Sequence, residues 1–201
     1  GGDRQLATMS KEASNMVKKI TTPIFRVSFP SVFEAKAMEE GQTPKFSVCA
    51  VFDPSKFTAR DRELWNAMQA LGDEVSLDKF KKKLNQLPAN FKKPFRDGAE
   101  KADLVGFGEG KIFCNFSSKM RPGLIDRDNA PITNADDFYP GCYARATITA
   151  YAYDNKGKGV AFGLQNLQKL RDGDRLDSRT DASEDFGATP IDDAWLEDDP
   201  L

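Results

Sequence analysis

The sequence predicts a mainly β domain with a helical insertion, closing as a small five-stranded Greek-key barrel. Three features carry that expectation. Five segments alternate apolar and polar side chains with the period a half-buried strand requires, one central stretch changes to helical spacing, and Asp154-Asn155-Lys156-Gly157 supplies a tight turn between the last two alternating segments.

In chain order, residues 1–8 precede Met9-Ser10-Lys11-Glu12 and read as a vector-derived remnant outside the fold. Thr22 to Ala35 and Pro44 to Asp53 read as the first two strands, a hairpin joined through Glu39-Glu40-Gly41-Gln42. Alternation places Phe25, Val27 and Phe29 in the core from the first, and Phe46, Val48, Ala50 and Phe52 from the second. Thr58 then offers a helix N-cap, and Leu64, Trp65, Met68 and Leu71 recur on one face before Gly72, where the helix is expected to end. A second helical piece is expected from Ser76 to Leu87, stopped by Pro88. Residues 88–110 read as an ordered, irregular loop, and the glycines of Gly106-Phe107-Gly108-Glu109-Gly110 as a turn, because they lack phosphate-loop spacing and precede a strand. Strands follow at Lys111 to Ser117, Cys142 to Asp154 and Gly159 to about Leu170. This pattern suits an OB-type barrel over residues 20–180, with its helical insertion at about 58–87 and a disordered acidic tail at 181–201.

Composition narrows the function. The 201 residues include no histidine, which excludes imidazole-based triads and every imidazole metal site. Cys49, Cys114 and Cys142 form no CxxC pair, so neither a zinc ribbon nor a disulfide framework is expected, and the compartment reads as reducing and intracellular. Charge is unevenly distributed. Residues 181–201 hold eight acids and no Lys or Arg, which leaves 29 bases against 23 acids in residues 1–180: a body of +6 carrying a tail of −8. A basic body with an acidic tail is the pattern of a nucleic-acid-binding domain with an interaction segment, or of a domain with a merely solvated terminus. Trp195, Leu196 and Leu201, set among the acids, favour the former.

The strand Cys142 to Asp154 separates two faces. Cys142, Ala144, Ala146, Ile148, Ala150 and Ala152 suit a tight interior; Tyr143, Arg145, Thr147, Thr149, Tyr151 and Tyr153 form the other side. Tyrosines interleaved with an arginine suit single-stranded nucleic acid, with rings for bases and a cation for phosphate, although tyrosines on a strand also pack against neighbouring elements. Lys111 to Lys119 repeats the arrangement, placing Phe113 on the outer face as a second stacking candidate beside Lys111 and Lys119. Arg121, Lys92 and Lys93 extend the positive potential. The expected single-strand-binding set is therefore Tyr143, Arg145, Tyr151, Tyr153, Phe113, Lys111, Lys119, Arg121, Lys92 and Lys93. Two other classes compete with it: a metal-dependent nuclease using Asp126, Asp128, Asp136 and Asp137, and a protein-interaction adaptor acting through its tail. The acidic run from Asp126 is a poor calcium loop, since Ala130 and Pro131 occupy the positions around its tight turn. No enzyme activity, metal or cofactor is expected.

Arg121-Pro122-Gly123, Tyr139-Pro140-Gly141-Cys142-Tyr143-Ala144-Arg145-Ala146, Tyr151 to Asn155 and the closing hairpin Gly157 to Leu176 resemble a family of bacteriophage single-stranded DNA-binding proteins long classed as a domain of unknown function. The resemblance runs from about Thr22 to Phe186. It implies an OB fold and sequence-independent coating of single strands during replication or recombination in the cytoplasm of the infected host cell. The tip Ile191 to Leu201 is similar to the acidic ends through which such proteins recruit replication partners. Those ends commonly finish in Phe; here Leu201 stands last, and Trp195, Leu196, Asp198, Asp199 and Leu201 are the expected partner-binding set.

Overall fold

Alternation in the long segments is realised as paired strands. The computed structural model describes residues 17–177 and 185–188, so the readings on residues 1–8 and on Trp195, Leu196, Asp198, Asp199 and Leu201 lie outside the described residues. In chain order the elements are β1 (Ile20–Thr21), β2 (Phe25–Lys36), β3 (Lys45–Phe52), α1 (Ala59–Phe80), β4 (Arg96–Asp97), β5 (Ile112–Ser118), β6 (Gly123–Ile125), β7 (Tyr143–Asp154) and β8 (Lys158–Arg171). β2 pairs with β3, β3 with β5, β5 with β8, β8 with β7 and β7 with β2, so five strands close a ring; the β5–β8 pairing is parallel. β1 adds to β7, β4 to β5 and β6 to β8. The architecture is thus a mixed, OB-fold-like sheet with a helical insertion, and its eight described strands exceed the expected five.

A circuit of aromatic rings fills the ring of strands. Phe25 of β2 meets Phe52 of β3 and Phe116 of β5, Phe116 meets Phe162 of β8, and Phe162 meets Phe95. Trp65 of α1 closes the circuit, 5.0 Å from both Phe95 and Phe52 between ring centroids. The inner face of β7, with Ala144, Ala146 and Ile148, and Cys142 just before it leave room for these rings, and all four residues are buried.

The helix departs from expectation. Thr58 caps it as predicted: its Oγ1 accepts from the Asp61 amide at 3.1 Å, and the Asp61 carboxylate accepts from the Thr58 amide at 3.0 Å. However, α1 runs 22 residues straight through Gly72 and ends at Lys81 in a left-handed conformation. The glycine serves packing instead of termination, since a Cβ there would lie 2.7 Å from Leu84 Cδ1. Leu84 belongs to a short 3-10 turn, Leu84–Gln86, that folds back on the helix, so the second helical piece expected over Ser76 to Leu87 is divided between the end of α1 and this turn. Its amide donates to Asp73 Oδ1 at 2.9 Å, and Ser76 Oγ donates to the Lys82 carbonyl at 2.7 Å. Two expected core residues also move outward: Phe46 is half-buried at the end of the ring, and Phe29 is 56% exposed.

Trp65 joins the insertion to the barrel, so Trp65→Ala should destabilise the domain by about 3–5 kcal/mol, as large aromatic truncations in a core do. Urea unfolding followed by circular dichroism checks this; a loss near zero would mean that α1 is not part of the cooperative core.

Candidate nucleic-acid interface

Parity along β7 and β8 decides what the outer face carries. β8 turns Val160, Phe162 and Leu164 inward, which leaves Gly159, Ala161 and Gly163 outward. Opposite them on β7 stand Tyr153, Tyr151 and Thr149, and across the parallel pairing Ser117 of β5 lies level with Gly163. The result is a low floor of Gly and Ala between taller walls.

The segment 91–96 builds one wall. The Lys92 amide donates to the Lys158 carbonyl at 2.9 Å, and the Val160 amide donates to the Lys92 carbonyl at 3.0 Å, clipping this segment to the closing hairpin. Gly159 permits the clip, because a Cβ there would meet the Lys92 backbone and the Tyr153 hydroxyl. Phe91, Lys92, Lys93, Arg96, Asn115 and Tyr153 line the resulting groove of about 590 Å³. Tyr151 extends it, with its ring centroid 6.3 Å from that of Tyr153. Among the described residues neither Lys92 nor Lys93 is held in an ion pair, whereas Arg96 is paired with Glu100 at 2.7 Å. Burial, and then the adjacent Tyr151, raise the Tyr153 hydroxyl above the ordinary tyrosine range, so it is a neutral donor at pH 7.

Phe113 requires a correction. It lies on the outer face of β5 as parity demanded, yet it is fully buried there with Cys49, Val51 and Phe107. The irregular segment 98–110 lies over it, held by Gly106, Gly108 and Gly110 at positive φ, a conformation open to glycine at little cost. In place of an open ring, the surface presents two cations: Arg96 Cζ and Lys101 Nζ each sit 4.9 Å from the Phe113 centroid. Arg96 and Lys101 were not among the expected site residues. Arg96 had a signal, since it follows the Lys92-Lys93 pair by three positions; Lys101 had none.

The other expected residues are spread around the molecule. Tyr143 stands ten residues, about 33 Å of strand, from Tyr153; its ring packs against Arg171 at 4.0 Å and Arg26 at 5.8 Å. Arg145 lines a different groove of about 630 Å³ beside the N-terminus of α1, where its Nε donates to Gln168 Oε1 at 2.8 Å. Arg121 donates to the Phe33 carbonyl at 2.9 Å and covers Phe46 at the end of the ring, with the exposed Lys119 two residues before it. Lys111 is half-buried beside Gly98 and accepts the Gly98 amide on its carbonyl at 2.7 Å.

Among the described residues neither carboxylates nor thiols assemble a reactive centre. Asp126 Oδ1 accepts from the amides of Asp128 and Ala130 at 2.8 and 3.0 Å, so it is engaged in its own turn, and among the described residues no three His, Cys, Asp or Glu side chains cluster for a metal. Burial pushes the Cys49 and Cys142 thiols up to about 11 and Cys114 well above its ordinary value, which leaves all three protonated at neutral pH.

Residues 18–196 match the family model described as Enterobacter phage Enc34, ssDNA-binding protein. The chain is 31% identical over 158 residues to protein p50 of Acyrthosiphon pisum secondary endosymbiont phage 1, covering 78% of this chain and 85% of the relative. Its fold is similar to that of the single-stranded DNA-binding protein from bacteriophage Enc34 solved in complex with ssDNA, with a TM-score of 0.66 and 17% identity over 79% of this chain and 89% of that one. It is also similar to gp2.5, a single-stranded DNA-binding protein encoded by bacteriophage T7, with a TM-score of 0.51 and 12% identity over 85% of this chain and 93% of that one.

The clip at Gly159 gives a local expectation. Gly159→Ala should detach the 91–93 segment, so hydrogen exchange at the Lys92 and Val160 amides should accelerate while the rest of the β7–β8 ladder keeps its protection. Unchanged protection at both amides would show that the backbone absorbs the new methyl group.

Proposed function

The chain belongs to the family of the Enterobacter phage Enc34 ssDNA-binding protein, and on that premise we propose that it coats single-stranded DNA, without reading its sequence, during phage replication or recombination. The observation that carries this reading is the open groove in which Tyr153 stands beside Lys92 and Lys93 over Ala161. Each element has a physical task. The tyrosines offer faces on which any base stacks, at about 1–3 kcal/mol per base. The lysines neutralise phosphates, and the floor lets the strand approach the sheet. Stacking and phosphate contacts are common to all four nucleotides, so such a site positions a strand without selecting it. Lys111, Lys119, Arg121 and Arg145 surround the body with positive potential that steers a polyanion toward the groove. The task is binding on a Greek-key barrel formed by the five-strand ring, and no chemical step is assigned to it.

The acidic tail completes the proposal. Tethered to a body of +6, the −8 of residues 181–201 competes for the same cationic groove at high effective concentration. A bound strand displaces it and frees Trp195, Leu196, Asp198, Asp199 and Leu201 to recruit a replication protein in the host cytoplasm. Deleting residues 187–201 should tighten single-strand binding, most at low salt, and abolish that recruitment. Affinity and recruitment both unchanged would reduce the tail to solvated charge.

The groove itself is tested by the salt dependence of binding. Replacing Lys92 and Lys93 together by Ala should lower the slope of log K against log salt by about 1.4, at about 0.7 per phosphate contact on a single strand. Tyr153→Ala should weaken binding at every salt concentration with little change of slope. A double lysine variant that keeps the full slope would place the phosphate contacts elsewhere on the molecule.

A further inference from the structure

Phe29 occupies a position that packing alone does not explain. The alternation of β2 buries Phe25 and Val27 in the barrel and would bury Phe29 with them. Instead the register of β2 against β3 shifts between Ser28 and Ser31, and Phe29 takes φ +43, a backbone conformation costly for a bulky side chain. The irregularity re-aims the ring onto the outer face, which is a use strand bulges serve next to binding sites. There the ring is 56% exposed, 6.4 Å from Phe107 and 5.7 Å from the Lys101 ammonium. The fold accepts strain in order to expose an aromatic face beside a cation.

Lys101 and Arg96 link this ring to the groove. Both cap Phe113, and Arg96 also lines the groove that holds Tyr153. Tyr153, Arg96, Lys101 and Phe29 therefore mark a path across the strands, from β7 over β8, β5 and β3 to β2. Followed around the ring, the path takes four inter-strand steps of about 4.8 Å, roughly 19 Å of arc. We propose that Phe29, partnered by Lys101, is a second base-stacking platform, and that the DNA strand crosses the sheet transversely from Tyr153 to Phe29 instead of following β7 to Tyr143. This rests on the single-strand-binding reading above and assigns its second contact and its direction.

The test uses the full chain and a fluorescein-labelled oligothymidine, with affinity read by anisotropy. Phe29→Ala should weaken binding at least about fivefold. Phe29→Leu should weaken it similarly, because it keeps apolar area and loses the π face, and Phe29→Tyr should stay within about twofold of the parent. Phe29→Ala should also cost more affinity than Tyr143→Ala, and Lys101→Ala should lower the salt slope by about 0.7. In the unsubstituted chain, 5-iodouracil in the oligonucleotide should photocrosslink to Phe29, which keeps the proposal testable even if an alanine variant fails to fold. If the parent binds and Phe29→Leu binds equally well without a crosslink, the platform is refuted while single-strand binding stands. A larger loss from Tyr143→Ala than from Phe29→Ala would overturn the transverse path. If the parent chain fails to bind the oligonucleotide, the underlying reading falls first.

Discussion

The closed aromatic circuit is the constraint on which the rest of the molecule depends. Each of its six rings comes from a different element: β2, β3, α1, the segment before β4, β5 and β8. Edge-to-face contacts contribute about 0.5–1.5 kcal/mol each beyond the area they bury, and a closed circuit couples them, so no ring shifts without disturbing two neighbours. The circuit sets the ring's interior dimensions, which is why β7 offers mostly Ala on its inner face. It also ties the segment 91–96 to the core. Phe95 points inward against Trp65 and Phe162, which fixes Lys92, Lys93 and Arg96 on the outside. The cations of the groove are thus positioned by a partly buried aromatic residue between them.

A second, smaller layer covers the outer face. Cys49, Val51 and Phe113 would present an apolar strip to water on β3 and β5, and the 98–110 segment covers it with Phe107 and Leu104. The cover is itself capped by charge, since Lys101 lies within 6 Å of Phe29, Phe107 and Phe113. One ammonium over three rings is held by their faces, with its charge still directed at solvent. Side chains that shield the sheet therefore also carry the potential attributed to the binding face.

Most of the fold was legible because period-two alternation is a local property. It located β2, β3, β5, β7 and β8 and assigned Phe25, Val27, Phe52 and the inner face of β7 to the core. What it missed depended on contacts distant in sequence. Gly72 looked like a helix terminus, and only the return of Leu84 showed it to be a close-packing site. Phe29 followed the inward parity, and the register shift that reversed it arises from pairing with β3. Phe113 stood on the face expected of it and was covered by a segment with no periodicity to read. Of the expected interface, Lys92, Lys93, Tyr151 and Tyr153 come together, because the hairpin and the clipped segment share one end of the sheet. Tyr143 and Arg145 share their face but not their place, since parity says nothing about distance along a strand.

Closure of the ring also governs how copies of the molecule behave toward one another. An open sheet ends in a row of unpaired amides and carbonyls on which a second chain can grow. Here the pairing of β7 with β2 closes the ring, so no long strand ends an open sheet, and the strands attached outside the ring, β1, β4 and β6, are two or three residues long. Edges that short give a neighbouring sheet too little to register against.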